Sequence, residues 1–303
     1  MKKIAIGAWA FGQYPAELFQ NINALGFDGV GIGSSKPLGI HPDEYDTDEK
    51  RKELKRLLAE NQLEIPEYGI DMYGAHALLD SDRWIEWVEF NLDFADRLDV
   101  TRTVRVDTGV PPRIPDGMTY AGIKDFYKTV FRRFAKRAAG HGIDLVWEFE
   151  PGFILNEPAN VVEVVRDVGE PNFKVEFDTC HANNCALGIG HIEEGMKLLG
   201  GIEEFAQMCR DMVGMVHIID TDGTLVHLGL EIMGDNGEKV ELITSKHSQM
   251  GEGYLNFDKI IPAILDKANY KGDWWVLDLE VTPFEDVKKN LDAMKRLNEK
   301  YCK

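Results

Sequence analysis

Residues 142–182 read GIDLVWEFEPGFILNEPANVVEVVRDVGEPNFKVEFDTCHA. Two short apolar runs, 144–150 and 173–179, flank an amphipathic stretch at 158–168 that Pro158 opens, the pattern of a strand, a helix and a second strand. The same alternation continues in both directions. Strand candidates lie at 3–9, 29–33, 63–70, 101–107, 144–150, 173–179, 213–219 and 273–280, each short and mostly apolar as a fully buried strand should be. Periodic helical stretches follow them near 15–25, 48–61, 81–98, 120–140, 158–168, 192–212, 257–269 and 284–301. Punctuation agrees, with Pro15 near the first helical turn, Asp80 and Ser81 before the third helix, and Gly140 and Gly142 closing the fourth. Eight βα pairs predict an α/β fold, a single (β/α)8 TIM barrel over residues 1–303. A doubly wound sheet is the competitor, but it more often carries a GxGxxG turn after its first strand, and Gly31-Ile32-Gly33 is only a fragment of one.

Composition narrows the function. The 303 residues are 44% hydrophobic and 28% charged, enough for one large core, and no Ser/Gly linker or break in composition marks a second domain. With 34 Lys+Arg against 52 Asp+Glu the formal charge is -18, which opposes binding to nucleic acid or to an anionic membrane. Four cysteines without a CxxC pair suit neither a disulfide framework nor a structural zinc motif, so a reducing cytoplasmic setting is expected. The first residues imitate a signal peptide, yet the apolar run ends by Gly12 without a cleavage site and reads as a buried strand. No run of about 18 apolar residues suggests a membrane span. Two long connections, 34–47 and 220–256, follow strand ends, and the second lacks a convincing helix; both are expected to be functional loops or lids.

The strands end in ionisable residues. Alternation puts Glu148 and Glu150 on one face and Trp147 and Phe149 on the other, and the next strands end in Asp178, His217 and Asp278. A buried carboxylate without a partner costs several kcal/mol, so Glu, Asp, His and Asp delivered by four neighbouring strands to one face require a shared counter-charge. A divalent cation held by Glu148, Asp178, His217 and Asp278 supplies it; the oxygen-rich set favours Mn2+ or Mg2+, with Zn2+ or Fe2+ as alternatives. The competing reading pairs these groups with Arg105, Lys174 or backbone amides as ordinary ion pairs.

These residues resemble the xylose isomerase-like TIM-barrel superfamily over nearly the whole chain. Its strand-five glutamate falls on Glu148, its Asp-Thr-x-His motif is Asp178-Thr179-Cys180-His181, its strand-seven histidine is His217 and its strand-eight acid is Asp278. The last match departs from the pattern, because most relatives have Glu there; a register shift of two would make Glu280 the ligand instead. The blocks AWAFG at 8–12, GFDGV at 26–30, VWEFEPG at 146–152, FDTCHA at 177–182, HIIDTDGTL at 217–225 and SKHSQMGEG at 245–253 look like the α subunits of bacterial C-glycoside deglycosidases. That resemblance implies metal-dependent cleavage of a 3-oxo-glucosyl aromatic compound and a small β-rich partner subunit.

A metal with open positions polarises a sugar carbonyl and stabilises the enediolate left when a neighbouring proton departs. Candidate proton carriers are Glu148 and the imidazoles of His41, His76, His181 and His247, with His181 foremost because the resemblance gives it a substrate or metal contact. Glu150 either moves protons or binds substrate beside them. Trp9, Phe11, Arg105 and Asp107 are expected to shape the pocket, and Tyr68 to fill a barrel layer. Without a phosphate-binding motif the expected substrate is an unphosphorylated sugar or glycoside. Aglycone-releasing lyase chemistry is the first expectation, because a long 220–256 loop would build a wide mouth; a sugar isomerase or ketose 3-epimerase is the second, and a homo-oligomer the alternative to the partner subunit. A sugar-binding protein without activity would have to explain the complete ligand set. A DNA-cleaving role is opposed by the charge.

Overall fold

The computed structural model describes residues 1–11, 16–34, 40–70, 76–192, 197–233, 237, 239–279 and 286–303. Pro15, residues 35–39 of the first long connection, and Glu280 lie outside the described residues. Eight parallel strands close into a barrel: β1 (Lys3–Gly7), β2 (Gly29–Gly33), β3 (Tyr68–Ile70), β4 (Thr103–Val106), β5 (Asp144–Glu148), β6 (Phe173–Asp178), β7 (Val213–Ile218) and, last in the ring, β10 (Trp274–Leu277), which pairs with both β7 and β1. The described helices are α1 (Ala16–Leu25), α2 (Asp48–Glu60), α3 (Ser81–Leu98), α4 (Tyr120–Gly140), α5 (Pro158–Val168), α6 (Thr179–Ala186), α7 (Gly201–Met208), α8 (Phe257–Pro262) and α9 (Val287–Tyr301). The TIM-barrel expectation therefore holds, with shorter strands than the apolar runs suggested.

Period-two alternation separates two apolar layers. Outward residues such as Leu145, Trp147, Phe177 and Trp275 pack with the helices in one large cluster, while inward Ala5, Val146, Met215 and Val276 form a small separate cluster that floors the barrel. Above that floor the interior turns polar. Space for the transition comes from glycine: a Cβ on Gly7 would overlap the Trp9 ring, and one on Gly31 would crowd it at 3.1 Å. Trp9 is not in the first strand as expected but in a 3-10 turn (Ala8–Phe11), which swings its indole back over the barrel. Tyr68 faces outward against α3 rather than filling a barrel layer, its hydroxyl donating to Asn91 Oδ1 at 2.7 Å.

Three expectations need correction. Among the described residues the helix expected at 192–212 is α7, and α6 begins directly after β6; every residue of α6 is buried, Thr179, His181, Asn183 and Asn184 included, so no solvent-facing stripe marks a helical period. The helix expected at 257–269 is α8 followed by a π-helical turn, Ala263–Lys267, at Pro262. The 220–256 connection is not a loop: it forms an antiparallel hairpin of β8 (Asp220–Met233) and β9 (Lys239–Ser248).

A two-stranded ribbon is marginal alone, so the base of this hairpin is fastened to the barrel. Thr221 Oγ1 donates to Lys246 O at 2.9 Å, Asn184 Nδ2 to Ser245 Oγ at 2.9 Å, and Thr244 Oγ1 to Glu150 Oε2 at 2.9 Å. Gly152 lets the chains meet, because a Cβ there would overlap Ile243 O. Buried Asp220 ties the returning segment, accepting from the backbone N–H groups of Thr221, Gly251, Gly253 and Leu255 at 2.9–3.1 Å. No described helix is long and apolar enough to cross a membrane, and all four cysteines are free thiols. Replacing Asp220 with Ala leaves these donors unpaired and should lower stability by roughly 3 kcal/mol in urea unfolding; an unchanged midpoint would contradict the anchoring role.

Candidate metal centre

Strand register brings the site together. Glu148 ends β5 and lies level with Glu176 of β6; Asp178, the last residue of β6, lies level with His217 of β7, which is level in turn with Val276 of β10. Asp278 follows β10 directly. All of these ionisable groups point inward by parity, and all are buried.

Their donor atoms converge. His217 Nδ1 lies 3.8 Å from Glu148 Oε1 and 3.7 Å from Asp278 Oδ2, and one donor atom each from Asp178, His217 and Asp278 falls within 4.8 Å of the others. Each group is also held from behind. Glu148 Oε2 accepts from Arg105 Nη1, Asp178 Oδ1 caps α6 by accepting from the His181 N–H at 2.7 Å, and Asp278 Oδ1 accepts from Trp9 Nε1 at 2.6 Å. The Trp9 ring in turn stacks on His217 at 5.8 Å and carries the Arg105 guanidinium 5.7 Å away. Within these four residues three buried atoms have no hydrogen-bond partner among the described residues, Glu148 Oε1, Asp178 Oδ2 and His217 Nδ1, and the same holds next to them for Glu67 Oε2, both Glu176 oxygens and His181 Nδ1. Unsatisfied buried lone pairs aimed at one point, from two carboxylates and an imidazole beside a third carboxylate, fit a divalent cation.

Two further carboxylates lie beneath, and sequence reasoning missed both. Glu67, just before β3, lies 2.6 Å from His217 Nε2, and Glu176 Oε1 lies 3.2 Å from the same nitrogen. Nε2 donating to Glu67 turns Nδ1 toward the convergence point, the carboxylate–histidine arrangement that orients metal ligands. Glu176 shares inward parity with Asp178 two residues on, a signal the sequence did carry; Glu67 sits in the irregular lead-in after Pro66, where parity says nothing.

The electrostatics follow from crowding acids out of water. Burial pushes the Asp178 carboxyl up to about 7, with His247 opposing the rise and Asp278 adding to it. Burial together with Glu67 raises Glu176 well above the carboxylate range. Burial would raise Asp278 too, but the His247 and His217 imidazoles and the Trp9 N–H hold it below the usual range. Burial alone would lower His217, yet Glu176 and Glu67 raise it well above the ordinary imidazole value. His181 goes the other way: burial, then the neighbouring His247, pushes it well below, so it is neutral.

Of the other expected residues, His181 Nε2 lies 3.7 Å from Glu148 Oε1 and 3.9 Å from Glu150 Oε2. His247 was expected in a lid loop; β9 carries it instead, with its ring 5.4 Å from His181 and Nδ1 3.8 Å from Asp278 Oδ2. His41 accepts from the Asp43 N–H at 3.2 Å through Nδ1 and packs 5.6 Å from the Trp87 ring, and His76 accepts from the Leu78 N–H at 3.3 Å. Asp107 is buried one residue past β4. Neither His41 nor Asp107 belongs to a donor cluster among the described residues.

Comparison with known proteins matches this geometry to a family. The family model described as xylose isomerase-like TIM barrel matches residues 19–297. Similar solved structures include a D-tagatose 3-epimerase-like protein, 20% identical with a TM-score of 0.72, covering 99% of this chain and 97% of that one. An IolI protein with a bound zinc atom is 15% identical with a TM-score of 0.72, covering 99% of each chain. The 3-keto-D-glucoside 4-epimerase of E. coli is 18% identical with a TM-score of 0.68, covering 99% of this chain and 100% of that one. A sequence search of curated proteins found no match.

Two outcomes test the centre. Removing the Glu67 carboxylate in Glu67→Ala should weaken Mn2+ binding by roughly 10- to 100-fold in calorimetric titration, because His217 loses its orienting acceptor; unchanged affinity would assign Glu67 a merely structural place. Cation binding must also expel the protons that Asp178, at about 7, and His217 hold in the metal-free protein. Affinity should therefore climb as pH rises through about 7, and a flat profile would contradict this assignment.

Proposed function

The chain belongs to the xylose isomerase-like TIM barrel family, and from that premise we propose that it is a divalent-metal-dependent enzyme that moves a proton at a carbon beside the carbonyl of an unphosphorylated sugar, as a ketose 3-epimerase or isomerase. The observation that carries this reading is the buried, unpartnered set of Glu148 Oε1, Asp178 Oδ2 and His217 Nδ1: Glu148 Oε1 lies 3.8 Å from His217 Nδ1, and Asp178, His217 and Asp278 form one donor cluster. Those four residues would hold the cation, and their oxygen-rich set with one imidazole favours Mn2+ or Mg2+. When bound, the cation polarises the sugar carbonyl and its neighbouring hydroxyl, which acidifies the adjacent C–H.

The chain's own residues do the rest. Glu148 takes the proton, and Arg105 on its Oε2 fixes the plane of the carboxylate. Neutral His181, within 3.7 Å of Glu148 Oε1, offers a nitrogen to a sugar hydroxyl or passes the proton on. Glu150, held by Thr244 at 2.9 Å, is placed to accept from a second hydroxyl. The Trp9 indole and Arg105 form one wall against an apolar sugar face. His41 and Asp107 would contribute only from the rim. The fastening of the hairpin base weakens the argument for a wide loop-built mouth, and this is why the epimerase reading comes first.

A second reading, release of an aglycone from a 3-oxo-glycoside with a small β-rich partner subunit, is favoured by Asp278. The Trp9 N–H engages this carboxylate at 2.6 Å, which restrains it from serving as a second base on the opposite sugar face, and elimination needs one base where epimerisation needs protons delivered to both faces. The similar E. coli structure is named for an epimerase of 3-keto-glucosides, which supports oxidised glucosides as a substrate class.

One experiment separates the readings. Mn2+-loaded protein is incubated in D2O with fructose and, separately, with a 3-oxo-C-glucoside, and products are read by NMR. Deuterium entering the ketose beside its carbonyl, lost by at least about 100-fold in Glu148→Gln, is the expected result. Aglycone release without ketose exchange selects the lyase, and neither reaction contradicts both.

A further inference from the structure

We propose that α3 is the face through which two copies of this chain pair about a two-fold axis, with the two helices antiparallel and centred between Trp87 and Phe90. The inference rests on none of the sugar chemistry above. A helix on the outside of a barrel needs apolar residues only on the side turned to the sheet, and α3 meets that need with Trp84, Val88, Leu92, Ala95 and Leu98, all buried. Its outer side is not uniformly polar. Phe90 is 46% exposed there, and Leu79, in the turn that leads into the helix, is 42% exposed. The Phe90 ring stacks on half-buried Trp87 at 6.2 Å, and the Arg97 guanidinium lies 5.9 Å over it on the other side. At about 3.6 residues per turn, Arg83, Glu86, Phe90 and Arg97 share one outward stripe. Aromatic and arginine side chains at such a centre are those that carry most of the energy of a protein contact.

The charges along this stripe differ between its ends. Asp80, Asp82 and Glu86 outnumber Arg83 at the N-terminal end, and of these acids only Asp80 has an ion pair among the described residues, with Arg83 at 3.7 Å. Arg97 marks the C-terminal end. It lies over the Phe90 and Phe94 rings and has no carboxylate partner among the described residues, in a chain with 52 Asp+Glu against 34 Lys+Arg.

A second, antiparallel copy matches these ends. Asp80 stands seven residues before Trp87 and Arg97 seven residues after Phe90, each about 10 Å along the helix. When Trp87 of each copy faces Phe90 of the other, Arg97 of each therefore falls opposite Asp80 of the other. The reversal also sets the positive N-terminus of each helix beside the negative C-terminus of its mate. Such a contact is self-complementary and closed, so it stops at two copies. At physiological salt the formal charge of -18 is screened beyond about 8 Å, and the local match decides. Trp87 also packs 5.6 Å from His41, so pairing would brace the connection after β2 at the rim of the mouth.

Sedimentation of the full chain at micromolar concentration tests this, and should show a particle of twice the chain mass. Phe90→Glu, a change at an exposed position, should weaken the pair by at least about 30-fold and leave the thermal midpoint of the monomer unchanged. Arg97→Asp and Asp80→Arg should each weaken it by about 10-fold, and the two changes together should restore it, because the Arg–Asp contact is then rebuilt with its ends exchanged. Asp80 makes no side-chain capping bond to α3, so its replacement removes no such bond from the start of the helix. A monomer throughout the micromolar range would overturn the proposal, as would a pair indifferent to Phe90→Glu or charge reversals whose losses add rather than cancel.

Discussion

Six carboxylates buried in the mouth of one barrel repel one another, and the upper half of this molecule is organised around that repulsion. Water cannot screen them, so each must be protonated, hydrogen-bonded or neutralised. Arg105 takes one edge of Glu148, Trp9 one edge of Asp278, the α6 N-terminus one edge of Asp178, and His217 lies between Glu67 and Glu176. After these arrangements the unpartnered atoms of Glu148, Asp178 and His217 remain, a donor set that a divalent cation would fit.

The same constraint explains features that look unrelated. Gly7 of β1 and Gly31 of β2 give the Trp9 ring the room to reach Asp278, and a short turn after β1 aims it there. Below, Ala5, Val146, Met215 and Val276 keep the floor dry, so the charges above it act at short range in a weakly screening medium. Above, the hairpin is fastened by side chains that also touch the site, Thr244 on Glu150 and Asn184 on Ser245.

Much of this was legible from sequence because strand parity is unforgiving. Glu148, Asp178, His217 and Asp278 each stand at an inward position at the end of an apolar run, where a charge needs a partner. The rest was hidden for physical reasons. Parity marks Glu176 two residues before Asp178, deeper in its strand, whereas Glu67 precedes a strand only three residues long. The hairpin's alternation is broken where β8 shifts register between Thr221 and Leu225 and between His227 and Glu231, around the left-handed glycines Gly223 and Gly229, so it passed for a loop. As a result His247, expected in a lid loop, is carried by β9 beside Asp278.

The account stands or falls on whether the convergent lone pairs hold a cation. A crystal of the protein grown with Mn2+ and measured at the manganese absorption edge answers this without reference to any substrate. The account predicts an anomalous peak bounded by Glu148, Asp178, His217 and Asp278, with Glu67 still on the far nitrogen of His217. A mouth without a peak, its carboxylates paired with one another through shared protons, would contradict it.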